Sequence, residues 1–536
     1  MTDRSIEEMI VTDYQRLKET PAWTLLDRHV RRGEPYDGGD PALAGMIEAA
    51  RRHWQALGDN REIAGLLAGL EGRHIPTSYG GDPIRNPESL PTGRNLYPFD
   101  PSRVPTRQAW EAGRAAAEKL IAQHRDSHGA YPDKLAFTLW SVETMRQFGM
   151  LEAQALAVMG FRPVWNAGDR VVGVEPIPAD ELKRPRIDAV ISATGLYRDH
   201  FPQVMKLLAD AARQGGELDE PDNPIAANTR AIEAALLGQE VAADDARRLA
   251  QTRVFSSESG AYGTGLDDAT LATDTWGRTA DGREDRGAAD AKLATLYLAR
   301  MQFAYGPDES KWGEKPPVNA YAEHLKGVDG ALLSRSSNLY GMLTTDDPFQ
   351  YLGGLSLAVR HLSGASPELY SSNLRESGNP RVESAAGFLA TELKARYFHP
   401  NWIAEMQKEG YSGTLEILGT VNNLWGWQAV APETVRDDQW NEVKAVFVDD
   451  KYDLGIKEWF EAQNPAAQAQ IIERMLEAAR KEYWKADPKD VAELAQRWTE
   501  LAAAHDVRSE NALFRDYVEA AAAPGFQQHA PGRGIA

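Results

Sequence analysis

The stretch IDAVISATGLY, residues 187–197, decides the fold class. It is an apolar run that ends in Thr194-Gly195, and such a run is typical of a strand buried on both faces of a parallel sheet. A second β-rich run, KLAFTLW (134–140), comes earlier and is followed by a helical pattern. Because strand and helix alternate from one run to the other, the sequence predicts a parallel α/β unit here.

Other patterns flank this unit. VDGALLSRSSN and PELYSSNL indicate a second strand-rich unit, while apolar residues at helical spacing indicate helices over residues 5–72 and over most of the chain after residue 382. We therefore predict an α/β multidomain protein with two parallel α/β units, a helical N-terminal segment and a helical C-terminal region. The predicted divisions are a helical N-terminal segment (1–74), a long ordered loop plus helix (75–130), an α/β domain with a helical extension (131–253), a second α/β unit (254–381) and a helical C-terminal region (382–536).

Composition narrows the class of function. The chain has 536 residues, a formal net charge of −20 and no cysteine. The negative charge argues against duplex nucleic acid as the main partner, and the lack of thiols excludes disulfides and thiolate metal sites. There is no run of about 18 apolar residues, so we expect no membrane span and a cytoplasmic protein. There is also no GxxxxGK[ST] motif, so this chain is not itself a P-loop ATPase.

Two carboxylates lie where a parallel sheet binds ligands, beyond the carboxyl ends of its strands. Glu143 follows KLAFTLW at the start of a helix, where it is either an acid–base group or a carboxylate that favours the helix dipole. Glu258 lies in the loop SSESGAYG, where it is either an acid–base group or an exposed loop residue. The Asp346-Asp347 pair precedes Pro348, and we interpret it as a helix cap.

Histidines supply the candidate metal ligands. His124 and His128 are four residues apart near a predicted helix end, a spacing that can bind zinc, but the sequence shows no obvious third ligand. Cationic side chains also interact favourably with a helix C-terminus, which is the alternative explanation of the pair. His200 follows the predicted strand in GLYRDH and is a second candidate ligand, with a local hydrogen bond as its alternative role.

The loop IPTSYGGDPIRNPESLPTGRNLYPFDPSRVP, residues 75–105, contains two further candidates. Arg85 and Arg94 lie beside asparagines, including Asn95. Each arginine can either brace the carbonyl groups of the loop itself or bind a ligand carboxylate through two hydrogen bonds.

Six separated blocks of this sequence together resemble one family. They are GGDPIRNPESLPTGRNLYPFDPSRVPT, FTLWSVETMR, RPRIDAVISATGLYRDHFP, SGAYGTGL, FHPNWIAEMQKEGYSGTLEI and NNLWGWQAV, and they occur in the family's order between about residues 65 and 484. They resemble the large subunit of cobaltochelatase, and the magnesium chelatase large subunit is similar over the same region. The resemblance implies a protein that binds a tetrapyrrole, handles a divalent metal (cobalt, magnesium or iron) and uses ATP only through separate AAA+ motor subunits.

The sequence departs from that family in two ways. Family members are usually more than twice as long, and their additional N-terminal part carries a Lys-His-Gly-Asn-Leu-Glu-type motif that is absent here, so the chain is either a split or truncated large subunit, for which a separate chain with the N-terminal half is a partner, or a relative that has changed its role. This chain also has SRSSNLYG where cobalt-type members tend to have a His-Asn-Gln-Asp-Asn loop. The SRSSN form and the stretch WGWQAVAPETV are similar to a branch found with haem uptake and proposed to take iron out of haem.

The resemblance also implies roles for individual residues. Glu143 and Glu258 are the expected acid–base groups, because metal exchange in a porphyrin requires transfer of pyrrole protons. The residues expected to contact the macrocycle or its carboxylates are Arg85, Arg94, Asn95, Arg198, Tyr262, Arg335, Asn338, Tyr340 and Tyr351. The alternative function is that of a non-catalytic tetrapyrrole carrier or scaffold.

Overall fold

The chain divides between Asp100 and Pro101 into two units. The computed structural model describes residues 18–78, 83, 86–96, 99–277, 284–337, 340–376, 378–523 and 526. The five divisions predicted from the sequence remain predictions, and each of the two units is considered by itself below.

The first unit is mainly helical, as predicted. Asp40 caps its longest helix by accepting hydrogen bonds from the backbone N–H groups of Ala42 and Leu43. The predicted long loop contains a short parallel strand pair, with Thr77 opposite Asn95. The elements are α1 (Pro21–Leu25, continued by a π-helical turn, Leu26–Arg31), α2 (Pro41–Gly58), α3 (Glu62–Leu70), β1 (Thr77–Ser78) and β2 (Asn95–Leu96).

A seven-stranded sheet forms the centre of the second unit. The strands of this unit are β3 (Lys134–Leu139), β4 (Phe161–Trp165), β5 (Val171–Pro176), β6 (Asp188–Ala193), β7 (Val254–Ser256), β8 (Phe303–Ala304), β9 (Gly330–Arg335), β10 (Glu368–Asn373) and β11 (Arg381–Ser384). The order in the sheet is β11-β10-β9-β3-β6-β7-β8, and β4 and β5 form a separate antiparallel hairpin. The five central strands are parallel, and the two edge strands are antiparallel to their neighbours.

Helices connect and cover these strands. They are α4 (Arg107–His128), α5 (Ser141–Gln147), α6 (Met150–Met159), α7 (Ala179–Leu182), α8 (Gly195–His200), α9 (Pro202–Glu217), α10 (Pro224–Gly238), α11 (Ala243–Gln251), α12 (Leu266–Leu271), α13 (Arg286–Met301), α14 (Ala320–Leu325), α15 (Gly354–Ser363), α16 (Ala385–Glu392), α17 (Pro400–Lys408), α18 (Tyr411–Val430), α19 (Asp437–Phe447), α20 (Ile456–Gln463), α21 (Pro465–Arg480), α22 (Pro488–His505) and α23 (Ala512–Ala522). Over the part of the chain that the structure describes, no helix is both long and apolar enough to cross a membrane.

The predicted α/β multidomain class is confirmed, with one difference in how the strands assemble. β3 and β6 are buried along their whole length, as their apolar sequences predict, and they pair with Phe137 opposite Ile191. β9 then pairs with β3 on one side and with β10 on the other. The two predicted parallel units therefore contribute to a single sheet, because strand pairing between distant segments leaves no local signal in the sequence.

The C-terminal region is helical, as predicted. Asn464 caps α21 by accepting a hydrogen bond from the Ala467 N–H at 3.2 Å. Trp427 is fully buried in α18, and its indole N–H donates to the Met342 carbonyl oxygen at 3.0 Å. This bond fixes the backbone of the segment that follows β9, and that segment forms part of the site described next.

Candidate active site

A cavity of about 330 Å³ opens at the carboxyl edge of the sheet in the second unit. β3, β6 and β9 all end at this edge because they are parallel, and residues that follow each strand reach the cavity. Open α/β sheets bind their ligands at this edge. The lining residues are 140–143, Arg146, 194–196, Tyr262, Gly263, Arg335, Tyr340, Gly341, Thr344, Thr345, Asp347 and Tyr351.

Glu143, a candidate acid–base group from the sequence, lines this cavity from the first turn of α5. Glu143 is only 3% exposed, and its Oε1 accepts a hydrogen bond from Arg146 Nη1 at 3.1 Å. Its Oε2 is buried and has no hydrogen-bond partner among the described residues. Buried carboxylate oxygens normally have partners, so this free oxygen is suited to accept a proton or a hydrogen bond from a ligand.

A second carboxyl group, that of Glu152, lies behind Glu143 and is fully buried. It accepts a hydrogen bond from the Thr144 hydroxyl at 2.5 Å. Burial raises the pKa of Glu152, and the neighbouring Glu143 contributes to the rise. The Glu152 side chain thus supports α5 from within the protein rather than facing the cavity.

The interpretation of Asp346-Asp347 as a helix cap is wrong, because the helical turn Phe349–Gly353 that follows has no side-chain cap bond. The Asp346 carboxylate accepts a hydrogen bond from the Gln350 side-chain amide at 2.9 Å, while Asp347 faces the cavity. Burial, reinforced by the charge of Asp346, raises the pKa of Asp347 to about 6, and the charge of Arg335 opposes the rise. Asp347 therefore changes its protonation state close to neutral pH, which suits proton exchange.

Arg146 also lines the cavity and was not among the sequence predictions. Its guanidinium lies 3.5 Å from the centroid of the Tyr340 ring and also bonds Glu143. A cation over an aromatic face is attracted by the ring, and the pair forms one wall of the cavity. The i,i+3 spacing of Glu143 and Arg146 was the available sequence signal, since residues three apart on a helix are neighbours.

Arg335 lines the cavity, although much of its hydrogen-bonding capacity is already used. It is 1% exposed, and it donates to the carbonyl oxygens of Gly341 at 3.1 Å and of Ser334 at 3.0 Å. Its guanidinium lies 4.5 Å from the centroid of the Trp140 ring. The side chain thus supplies positive charge to the wall and holds the backbone beyond β9.

Glu392 holds the same backbone segment from α16. It accepts hydrogen bonds from the N–H groups of Met342 at 2.5 Å and Leu343 at 3.5 Å. A Cβ atom at Gly341 would collide with the Glu392 carboxylate, so glycine is the residue that fits there. Burial raises the pKa of Glu392. This anchor gives the cavity wall near Tyr340 a defined shape.

Tyr262 and Tyr351, two of the residues expected to contact the macrocycle, line the cavity. The Tyr351 hydroxyl accepts a hydrogen bond from the Gly263 N–H at 3.2 Å, and burial raises its pKa to about 12. Tyr262 is 61% exposed, and its hydroxyl donates to Asp199 at 2.7 Å. Together with Trp140 and Tyr340 they provide aromatic surface on several sides of the cavity.

Arg198 and Glu258 lie outside this lining, in contrast to their predicted roles. Arg198 donates to the carbonyl oxygens of Ser257 at 3.0 Å and Glu258 at 2.6 Å, and to the carboxylate of Asp199 at 2.8 Å. It therefore holds the loop that carries Tyr262. The Glu258 side chain is exposed, because the loop directs the backbone carbonyl group of this residue, and not its side chain, inward to Arg198.

His200 makes a local hydrogen bond, which was the alternative to metal ligation. Its Nδ1 lies 2.7 Å from the hydroxyl oxygen of Ser141, and this contact joins the end of α8 to the start of α5. Within the described ranges His200 belongs to no cluster of three metal-ligating side chains. It positions Ser141, which lines the cavity.

The remaining predicted residues lie elsewhere. Arg85 and Asn338 are outside the described residues. Arg94 and Asn95 belong to the first unit, where Arg94 donates to the carbonyl oxygens of Glu88 at 3.4 Å and Leu90 at 3.3 Å. Arg94 thus braces its own loop, one of its two predicted roles, and Asn95 is an exposed residue of β2.

Comparison with known proteins identifies the family of this chain. The model of the CobN/Magnesium Chelatase family matches residues 6–491. The aerobic cobaltochelatase subunit CobN of Pseudomonas aeruginosa is 34% identical over 447 residues, which is 83% of this chain and 34% of that protein. A magnesium-chelatase subunit of Cereibacter sphaeroides is 35% identical over 447 residues, again 83% of this chain, and 35% of that protein. The chain thus spans about a third of the length of these relatives.

A solved structure is similar over nearly the whole chain. The catalytic subunit of cobaltochelatase from Mycobacterium tuberculosis superposes with a TM-score of 0.79 and 30% identity, covering 93% of this chain and 42% of that one. The family match, the two relatives and the structural similarity all agree with the sequence resemblance. This chain belongs to the CobN/magnesium chelatase family.

Proposed function

We propose that the cavity binds one edge of a tetrapyrrole and that its carboxylates exchange pyrrole protons during metal insertion. One observation carries this proposal: two carboxylates suited to proton transfer line a single cavity with two cationic side chains. Glu143 has an unpaired buried oxygen, and Asp347 has a pKa of about 6. Arg146 and Arg335 provide the positive charge.

The proton balance of the reaction explains why two such groups are useful. Insertion of a divalent cation into a metal-free porphyrin releases two protons, M²⁺ + H₂P → MP + 2 H⁺, and removal of the metal takes up two. A carboxylate with a pKa near neutral accepts a proton and passes it on efficiently. Glu143 Oε2 accepts a pyrrole proton in this proposal, and Asp347 takes the second.

The other lining residues bind and orient the ring. Trp140, Tyr340 and Tyr351 offer aromatic faces to the macrocycle, and Arg146 and Arg335 attract its carboxylates. A volume of about 330 Å³ is at the lower end of small-molecule sites, so only part of the ring enters. Asn338 stays a candidate contact for the rest of the ring, and Arg85, Arg94 and Asn95 of the first unit stay predictions of the family resemblance.

The proposal extends to partners. Because the chain spans about a third of its relatives' length, the remaining part of the site comes from a further segment or a separate chain. ATP acts through separate AAA+ subunits, since this sequence has no P-loop. The metal is cobalt, magnesium or iron, and the assembly works in the cytoplasm.

A second candidate function requires only that a macrocycle binds in the cavity. A chain with the cavity alone can act as a tetrapyrrole carrier, including a haem carrier in the branch that removes iron.

Titration of the full chain with metal-free porphyrins and with haem, followed by Soret absorbance, tests ligand binding directly. We expect a saturable spectral shift at a ratio of one macrocycle per chain. The absence of any shift with every macrocycle would overturn both functions. Turnover after addition of AAA+ subunits and the missing segment supports the chelatase, whereas stoichiometric binding without turnover under every pairing supports the carrier.

A further inference from the structure

A cluster of three ligand-type side chains lies at the amino end of the sheet, outside the proposed active site. His124 and His128 are on the last turns of α4, and Glu368 is the first residue of β10. Their ligating atoms lie within 4.8 Å of one another. Across the described part of the chain this is the one such group of three.

The two imidazole rings are already oriented. They stack with centroids 4.2 Å apart and an angle of 20° between their planes. His128 Nδ1 lies 3.0 Å from the His124 carbonyl oxygen, and because a carbonyl only accepts, this nitrogen carries the proton. In the neutral ring the lone pair is then on Nε2, which lies 3.4 Å from Glu368 Oε1. A backbone carbonyl that sets the tautomer in this way is typical of metal-ligating histidines.

Glu368 is oriented as well. Its second oxygen, Oε2, accepts a hydrogen bond from the Tyr370 hydroxyl, which leaves Oε1 directed to His128. Ligating carboxylates in proteins are commonly held by such a second hydrogen bond.

His124 provides an independent sign of a missing partner. It is 6% exposed, and its Nδ1 is buried without a hydrogen-bond partner among the described residues. Leaving a buried polar atom unpaired is unfavourable, so such atoms are rare in folded proteins.

We propose that His124, His128 and Glu368 bind a divalent cation of the zinc class, with the fourth coordination position open to water. Two imidazoles and one carboxylate form a ligand set that zinc accepts, at about 2.0–2.2 Å from the ion. Ligand atoms of a tetrahedral zinc are then about 3.3 Å apart, close to the 3.4 Å between His128 and Glu368. Small side-chain rotations bring the remaining atoms to that distance.

The place of the cluster in the fold indicates a structural role. Glu368 starts β10, whereas the cavity lies beyond the opposite ends of the parallel strands. Six residues of strand at about 3.3 Å each separate the two edges by about 20 Å. The ion would therefore tie the end of α4 to the start of β10 rather than serve as the metal transferred in the cavity.

Binding of the metal alone to the full chain tests the proposal. After chelator treatment, the protein is titrated with Zn²⁺ by calorimetry and with Co²⁺ by visible absorbance. The variants H128A and E368Q remove one ligand each at partly exposed positions, with side chains 42% and 45% exposed, so folding should persist. H361A, at an exposed histidine of α15, is the matched control.

We expect one ion per chain and a rise of the thermal midpoint with zinc, both retained in H361A. H128A and E368Q should weaken binding by more than the roughly 10–100-fold that loss of an outer-shell partner costs. The proposed site would be overturned if the wild-type chain did not bind the metal, or if wild type, H128A and E368Q bound it equally. The contact between His128 and Glu368 would then be an ion pair only. Soret titration of the same samples separates this result from the proposed function, because these variants should still bind the macrocycle.

Discussion

The two ends of the central sheet differ in how their chemistry is built. At the carboxyl edge, segments that follow three parallel strands assemble a cavity with carboxylates, arginines and aromatic rings. At the amino edge, one helix end and one strand start bring together only His124, His128 and Glu368. The first arrangement can surround an organic ring, and the second fits a single ion. One sheet thus separates a proposed reaction site from a proposed structural metal site.

The largest expected effect is on Glu143. The variant E143Q keeps the side-chain shape but cannot accept a pyrrole proton at Oε2, so turnover of the assembled chelatase should fall by about 10²–10⁴-fold. Porphyrin affinity by Soret titration and Zn²⁺ affinity by calorimetry should both stay within about threefold. E314Q, at a half-exposed glutamate, serves as the control. Unchanged turnover in E143Q would remove Glu143 from the proton path.

Arg146 should control recognition of the macrocycle's carboxylates. R146A removes a cation from the cavity wall, and hydrogen bonds to charged groups contribute about 1.5–3 kcal/mol, so affinity for a dicarboxylic porphyrin should fall by about 10–100-fold. The dimethyl ester of the same porphyrin lacks the carboxylates and is the matched ligand. An equal loss of affinity for acid and ester would show that Arg146 acts through packing against Tyr340 instead.

Asp347 should link stability to pH. Its pKa is raised from 3.8 to about 6, so the folded state binds this proton more tightly than the unfolded state does. The resulting stabilisation is complete below pH 3.8 and is lost as the pH rises through 6. D347N should therefore stabilise the protein by about 1–2 kcal/mol at pH 8, after allowance for solvent screening.

Urea unfolding of wild type and D347N between pH 5 and pH 8 measures this effect. The advantage of D347N should decline toward the acidic end of the series. A constant difference across the pH range would mean that Asp347 is not the titrating group.

The smallest expected effect concerns Glu258. Because its side chain is exposed outside the cavity lining, E258Q should change turnover and porphyrin affinity by less than about twofold. A loss as large as that of E143Q would mean that the loop moves Glu258 to the macrocycle, and would restore the role predicted from the sequence.

Local patterns explain which parts of the fold and site could be predicted. The apolar runs identified β3 and β6, and the rule that ligands bind beyond parallel strands singled out Glu143, which lines the cavity at that edge. The pKa of Asp347 depends on burial and on Arg335, which no spacing encodes. The exposure of Glu258 depends on Arg198 bonding its carbonyl oxygen.

The proposed zinc site likewise combines a local sequence pattern with a contact between distant segments. The four-residue spacing of His124 and His128 is visible in the sequence and predicts one helix face. Glu368 joins them only because β10 pairs with β9 and starts beside the end of α4. Two of the three proposed ligands could therefore be identified from the sequence, whereas the third depends on how the strands pair.

The insertion of β9 between β3 and β10 has a consequence for how the protein is synthesised. At the start of these strands the Asp133 N–H donates a hydrogen bond to the Asp329 carboxylate, and the two residues are 196 positions apart. At about 5–20 residues per second, a ribosome needs roughly 10–40 s to make the chain between them. During that interval one edge of the apolar β3 lacks its final neighbour, and such edges pair readily with other chains. Nascent chains should thus depend on shielding by chaperones until β9 emerges, and the cavity should be among the last features to form.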